Sequence, residues 1–180
     1  MNHSNSLTKK GVLVWLLTAL FFMYEFLLRT AVGTFEQPII NELNLSLIAF
    51  ALVSSTAYIF VYGVMQMPVG ILTDKFGLKI TLTMAAFFSG LSVIGFSRSH
   101  TFETAITFRI LTGLGSSFGF IGLLVAVYEW LPRKNLALYI GVSQLIGTMG
   151  PMLAAGPLND IAESGGRSEE RRVGKECRSR

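Results

Sequence analysis

The chain has 180 residues, 51% hydrophobic and 14% charged, with a mean hydropathy of +0.54. A soluble domain carries roughly 25% charged residues, so this composition excludes an ordinary water-soluble fold and points to a membrane protein. The formal net charge of +4 comes mostly from the last fourteen residues, so it argues for no nucleic-acid partner.

A spanning helix needs about 20 mainly apolar residues. Five segments qualify, at 11–33, 49–72, 80–98, 104–128 and 136–158. Residues 1–10 read as a polar amino-terminal tail. The first segment is too long for a signal-peptide core, and no small-residue cleavage site follows it promptly, so it reads as a retained helix. Thr18, Phe22, Glu25 and Arg29 share one face of that helix, which runs on toward Gly33. The stretch 34–48 holds Glu36 and Glu42 and no basic residue, and reads as a loop. In the second segment, Ser54, Tyr58, Tyr62 and Gln66 recur at i+4. A polar stripe on an apolar helix faces protein or a wet cavity, not lipid. The fourth segment carries Arg109 and the pair Gly115 and Gly119, spaced for close helix packing. The fifth carries Gln144 and Thr148 on one face, and Pro68 and Pro151 are positioned to kink the second and fifth helices.

A charge inside a bilayer costs roughly 3 kcal/mol on insertion scales. Glu25, Arg29 and Arg109 are the three within predicted spans, and are the first candidates for substrate or coupling-ion contact. Two readings of Glu25 and Arg29 stay open. They neutralise each other, with Arg29 snorkelling to the outer interface, or they serve substrate and coupling. Glu25 is the one acid deep in a span, which makes it a candidate proton carrier. Arginine suits an anion site because it stays charged and grips carboxylate or phosphate with two parallel bonds. Interhelical hydrogen bonding is the alternative use of Tyr58, Tyr62, Gln66 and Gln144.

Lys9, Lys10, Lys75, Lys79, Arg133 and Lys134 fall on one side of the spans and only Arg98 on the other. The positive-inside rule then puts the amino terminus in the cytoplasm.

The final stretch, Arg167 to Arg180, is highly charged and has no apolar period. It resembles the translation of a sequencing-library adapter, whose codons AGA-TCG-GAA-GAG give Arg-Ser-Glu-Glu; the alternative is a genuine basic tail. Without it, Lys+Arg falls from 15 to 9 and Asp+Glu from 11 to 8, taking the net charge from +4 to +1. Cys177, the single cysteine, leaves with it.

Gly70-Ile71-Leu72-Thr73-Asp74-Lys75-Phe76-Gly77-Leu78-Lys79 joins the second and third segments. It resembles the cytoplasmic loop signature G-x-L-x-D-x-x-G-x-[RK] of the major facilitator superfamily. Arg109-Ile110-Leu111-Thr112-Gly113-Leu114-Gly115 resembles that superfamily's R-x-x-x-G-x-G pattern. Trp130-Leu131-Pro132-Arg133 resembles its usual exit from the fourth helix, and Gly147-Thr148-Met149-Gly150-Pro151 its G-x-x-G-P element. An internal echo is present. Gly follows Arg by four in both Arg29–Gly33 and Arg109–Gly113, and Gly70–Asp74 matches Gly156–Asp160. The resemblance covers residues 10–160, nearest the anion–cation symporter and organophosphate branches.

The resemblance implies an all-α membrane fold: twelve helices in two six-helix halves, each half made of two inverted three-helix repeats. This chain would supply five helices of the first half, within residues 11–166, and would be inactive alone. It implies a secondary transporter in the plasma membrane, the inner membrane in a bacterium. Such a transporter works by alternating access on a small solute, with an organic anion and H⁺ as expected cargo and coupling ion. A zwitterion such as an amino acid is the runner-up, with Glu25 taking the ammonium; a non-transporting receptor or scaffold is the rival class. It also implies a latch, in which Gly70 permits close helix approach and Asp74, with Gly77 and Lys79, meets a positive helix end. No enzyme constellation, cofactor or metal site is expected. The two histidines, His3 and His100, stand apart, and no phosphate-cradling G-x-x-x-x-G-K-[ST] occurs.

Overall fold

The computed structural model describes residues 7–158. The stretch 167–180, His3, Cys177 and the Asp160 end of the internal echo lie outside the described residues.

Each apolar segment folds as a helix long enough to cross a bilayer. Helix α1 is Lys9–Thr34, opened by Thr8, whose hydroxyl accepts from the Gly11 amide at 3.2 Å. The stretch read as a loop contains a short helix, α2, Glu36–Leu43. Glu36 suits a helix amino terminus, and Pro38 falls in the first turn, where its missing N–H costs nothing. Asn44, left-handed at φ 48°, ends α2. Ser46 then caps the next helix, accepting from the Ala49 amide at 3.2 Å.

Helix α3 is Leu47–Phe76 and is α-helical except for a π-turn at Leu52–Thr56. It runs four residues past the expected end at 72, so Asp74 and Lys75 sit in its last turn and not in a gap. The break is Gly77 alone, at φ 79° and ψ 158°. Only glycine adopts that backbone without strain. Helix α4 is Leu78–Phe96. Helix α5, Phe102–Trp130, opens with a capping box between Thr101 and Thr104. It closes at Leu131, which is extended as the residue before Pro132 must be. Helix α6 is Leu136–Leu153 and continues into a second π-turn, Ala154–Leu158.

Helix α5 is the axis of the bundle. Its apolar window is 61% buried, against 17% to 33% for the other four spans. It packs on α4, α3 and α1, and α6 packs mainly on α1. Three small positions let the neighbours close in. A Cβ at Gly113 would stand 2.8 Å from the Tyr58 carbonyl of α3. One at Gly115 would stand 3.0 Å from the Ser89 amide of α4, and one at Gly119 would strike the Glu25 carboxyl of α1. The spacing of Gly115 and Gly119 therefore serves close packing, with one glycine turned to each of two helices.

Two apolar clusters fill the contacts. Ala19, Phe22 and Leu123 join α1 to α5, with Trp15, Phe26 and Ile146 around them. Val69, Ala85 and Phe118 join α3, α4 and α5. The outer faces are apolar too: Phe60, Met67, Ile71, Phe87, Leu145 and Met152 are all exposed, as lipid-facing side chains are.

Candidate functional site

Arg109, 2% exposed, projects from α5 into the seam between α1 and α3. Its Nε donates to the Val53 carbonyl at 2.9 Å, its Nη1 to the Leu28 carbonyl at 3.3 Å, and its Nη2 to the Ser54 carbonyl. The guanidinium carbon lies 5.0 Å from the centre of the Tyr58 ring. Every partner is main chain or an aromatic face. The sequence offered no sign of this, because carbonyls carry no residue type.

Glu25, one of the four aligned residues of α1, turns inward and is 2% exposed. Its carboxyl rests against Gly119, and Oε1 has no hydrogen-bond partner among the described residues. Two more buried hydroxyls, Ser116 on α5 and Ser89 on α4, share that condition. A buried polar atom with nothing to bond is costly, and it leaves the carboxyl with an open position for a proton.

Arg29, one turn farther along α1, is exposed. It lines a pocket of about 250 Å³ with Thr30, Gly33, Ser54, Ser55, Tyr58 and Ile59, and it is the only charged residue there among the described residues. The structure thus separates Glu25 from Arg29. One is sealed in the bundle, the other lies on an open pocket, and no ion pair joins them among the described residues. Arg109 lines a different, mainly apolar pocket of about 170 Å³ with Leu28, Phe35, Phe96 and Thr112. Ser54 links the two, lining the Arg29 pocket while its carbonyl accepts from Arg109.

The polar stripe of α3 follows this seam. Tyr58 is buried and stacks on Tyr62, with centroids 6.1 Å apart and planes 16° apart. Tyr62 and Gln66 are half-buried, and Gln66 Nε2 donates back to the Tyr62 carbonyl at 3.3 Å. Gln144 is half-buried on α6. The bond that ties α6 to α1 comes from its neighbour, with Trp15 Nε1 donating to Ser143 Oγ at 2.8 Å. A further interhelical bond, Thr112 Oγ1 to Ser92 Oγ at 3.0 Å, joins α5 to α4. Both pairs escaped the sequence reading, since lone serines on apolar helices give no periodic signal.

Gly70, Asp74, Gly77 and Lys79, the positions expected to form a latch, lie together at the basic end of the bundle. Asp74, Gly77 and Lys79 are exposed, and a Cβ at Gly70 would meet nothing within 4 Å. A larger cavity of about 900 Å³ opens near that end between α1 and α4. Its walls, Val14, Leu17, Phe21, Leu82 and Ala86 among them, are apolar, with Lys79 and Glu129 the only charges. None of Glu25, Arg29 and Arg109 lines it.

The sequence model of the Major Facilitator Superfamily matches residues 14–158. Two crystal structures of a bacterial homologue of the human lysosomal transporter Spinster share this fold. The inward-facing, occupied form gives a TM-score of 0.77 at 20% identity, and the inward-facing, unoccupied form 0.75 at 21%. Each alignment covers 83% of this chain and 32% or 31% of the other, so the chain spans about a third of their length. No curated protein sequence matches it significantly. With the family match running from the first spanning helix to the last described residue, the chain belongs to the major facilitator superfamily and is a multi-pass membrane protein.

Proposed function

We propose that this chain forms one wall of a secondary transporter that moves a small organic anion by alternating access, coupled to H⁺. The observation that carries the reading is the Arg29 pocket. An exposed guanidinium inside a spanning helix costs free energy that packing does not require. Thr30, Ser54, Ser55 and Tyr58 surround it with hydroxyls that can complete the shell of a carboxylate or phosphate oxygen. Glu25 supplies the proton site: a buried carboxyl with one unpartnered oxygen. Because Glu25 does not line the Arg29 pocket, the geometry favours an anion over a zwitterion, which would need both charges in one cavity. In this reading the end bearing Lys9, Lys75, Lys79 and Lys134 faces the cytoplasm, across the plasma membrane or a bacterial inner membrane. Asp74 there acts in a latch between states.

A thermal-shift screen of the purified full-length protein tests the anion site. Carboxylates, phosphate esters and amino acids are the probes. At least one carboxylate or phosphate ester should raise Tm in the wild type and fail to do so in Arg29→Gln, since bound ligand stabilises by mass action. Stabilisation by amino acids alone, or an undiminished shift in Arg29→Gln, would refute the reading.

A further inference from the structure

The π-turn of α3 and the buried Arg109 explain each other. In an α-helix the Ala57 amide would bond the Val53 carbonyl, four residues back. Here it bonds Leu52, five back. Thr56 follows the same wider spacing, its Oγ1 donating to the Ala51 carbonyl at 3.3 Å. The Val53 carbonyl has therefore lost its helical donor inside a buried seam, where Val53 is 0% exposed. An orphaned carbonyl there is costly. Arg109 Nε takes that carbonyl at 2.9 Å, and Nη2 takes the next one, Ser54. The third bond, to Leu28, anchors the same guanidinium to α1.

We propose that Arg109 is a positioning residue that fixes the register of α3. It occupies the Val53 carbonyl released by the π-turn, together with the Ser54 carbonyl beside it, and so holds the outer part of α3 in the rotation that presents Ser54 and Ser55 to the Arg29 pocket. A π-turn inserts one residue relative to an α-helix. If it relaxed, the segment on its outer side would turn by about 100° about the helix axis, the angle of one residue. Ser54 and Ser55 would leave their present faces, while Tyr58, beyond the turn, would stay. The pocket would be dismantled without any change to Arg29 itself. The register claim stands on its own geometry; only its consequence for the solute rests on the proposed anion site.

Arginine is suited to this task and lysine is not. Three carbonyls on two helices need three donors held in a fixed plane, and an ammonium offers a single point. The Tyr58 ring closes one face of the guanidinium, and Gly113 lets the Tyr58 backbone approach α5 closely enough for it to do so.

The test is the pattern of thiol labelling along the turn, which needs no solute. Single cysteines are placed at positions 51 to 56 of the full-length protein, in a background whose native cysteines are all replaced by serine, and labelled with N-ethylmaleimide in detergent. In the wild type, 53 and 54 should be protected and 51, 52, 55 and 56 labelled, following their burial. In Arg109→Gln the protected pair should move by one position. An unchanged pattern in a monodisperse Arg109→Gln protein would overturn the proposal. Should Arg109→Gln fail to fold, deletion of Thr56 provides the second arm. Removing one residue lets α3 run as a regular α-helix with no orphaned carbonyl, so the deletion should restore monodisperse protein to Arg109→Gln. Failure of that rescue would also overturn the proposal. Loss of anion binding with an intact labelling pattern would point instead to Arg109 as a direct ligand. Failure of the anion screen with a shifted pattern would leave the register claim standing and remove only its consequence.

Discussion

Gly119→Ala is a demanding probe of the bundle centre. The added methyl would coincide with the Glu25 carboxyl, whose Oε1 lies 2.6 Å from the Cβ position. Either α1 and α5 separate or the carboxyl swings out of a site from which water is excluded. Overpacking of this kind costs about 1–3 kcal/mol. The cost belongs to the pair, so it should vanish when Glu25 is truncated. A double-mutant cycle on the full-length protein measures this, comparing Gly119→Ala, Glu25→Ala and both together. A coupling of about 1–3 kcal/mol is expected, at roughly 2–4 °C of Tm for each kcal/mol in a unit of 150–250 residues. Glu25→Ala alone should leave Tm unchanged or raise it, because it removes a buried polar atom with no partner. Simple addition of the two single-variant shifts would refute the contact between Glu25 and Gly119.

Three further outcomes are expected. Gly77→Ala should lower Tm, because φ 79° with ψ 158° costs a side-chain-bearing residue about 1–3 kcal/mol; an unchanged Tm would mean that the turn has another accessible conformation. In Arg29→Gln, solute affinity should fall roughly ten- to a hundredfold, the worth of a charge-assisted bond of about 1.5–3 kcal/mol; adding Glu25→Gln should not restore it, and recovery in the double variant would reinstate the self-neutralising pair. Asp74→Asn should slow turnover while leaving solute affinity in place, since the carboxylate is exposed at the basic end and remote from the pocket; undiminished transport would remove the latch.

The five spanning helices were legible because length and hydropathy suffice to specify them. The family likeness was legible because its motifs hold positions where backbone geometry is demanding, as Gly77 and Gly115 do. The short helix α2 was missed: eight residues with a proline in the first turn give little periodic signal. The π-turn was illegible for a different reason. It is stabilised by Arg109, fifty-odd residues away in sequence, through main-chain carbonyls. The helical wheel put Glu25 and Arg29 on one face correctly, yet their surroundings diverge within one turn. Gly119 stands opposite Glu25, whereas Arg29 opens onto the hydroxyls of α3. Which neighbour faces a given turn depends on packing across α1, α3 and α5, and a single segment's pattern does not contain it.

Proton-coupled anion transport is measured by uptake into proteoliposomes. The full-length protein is reconstituted, a pH gradient is imposed, and radiolabelled small organic anions are offered, first to the wild type and then to Arg29→Gln and Glu25→Gln. Saturable uptake of at least one anion is expected, collapsing when a protonophore dissipates the gradient. That uptake should be lost in Arg29→Gln, and its gradient dependence should be lost in Glu25→Gln. Anion uptake that ignores the gradient and survives both substitutions would contradict the proposed proton-coupled transport.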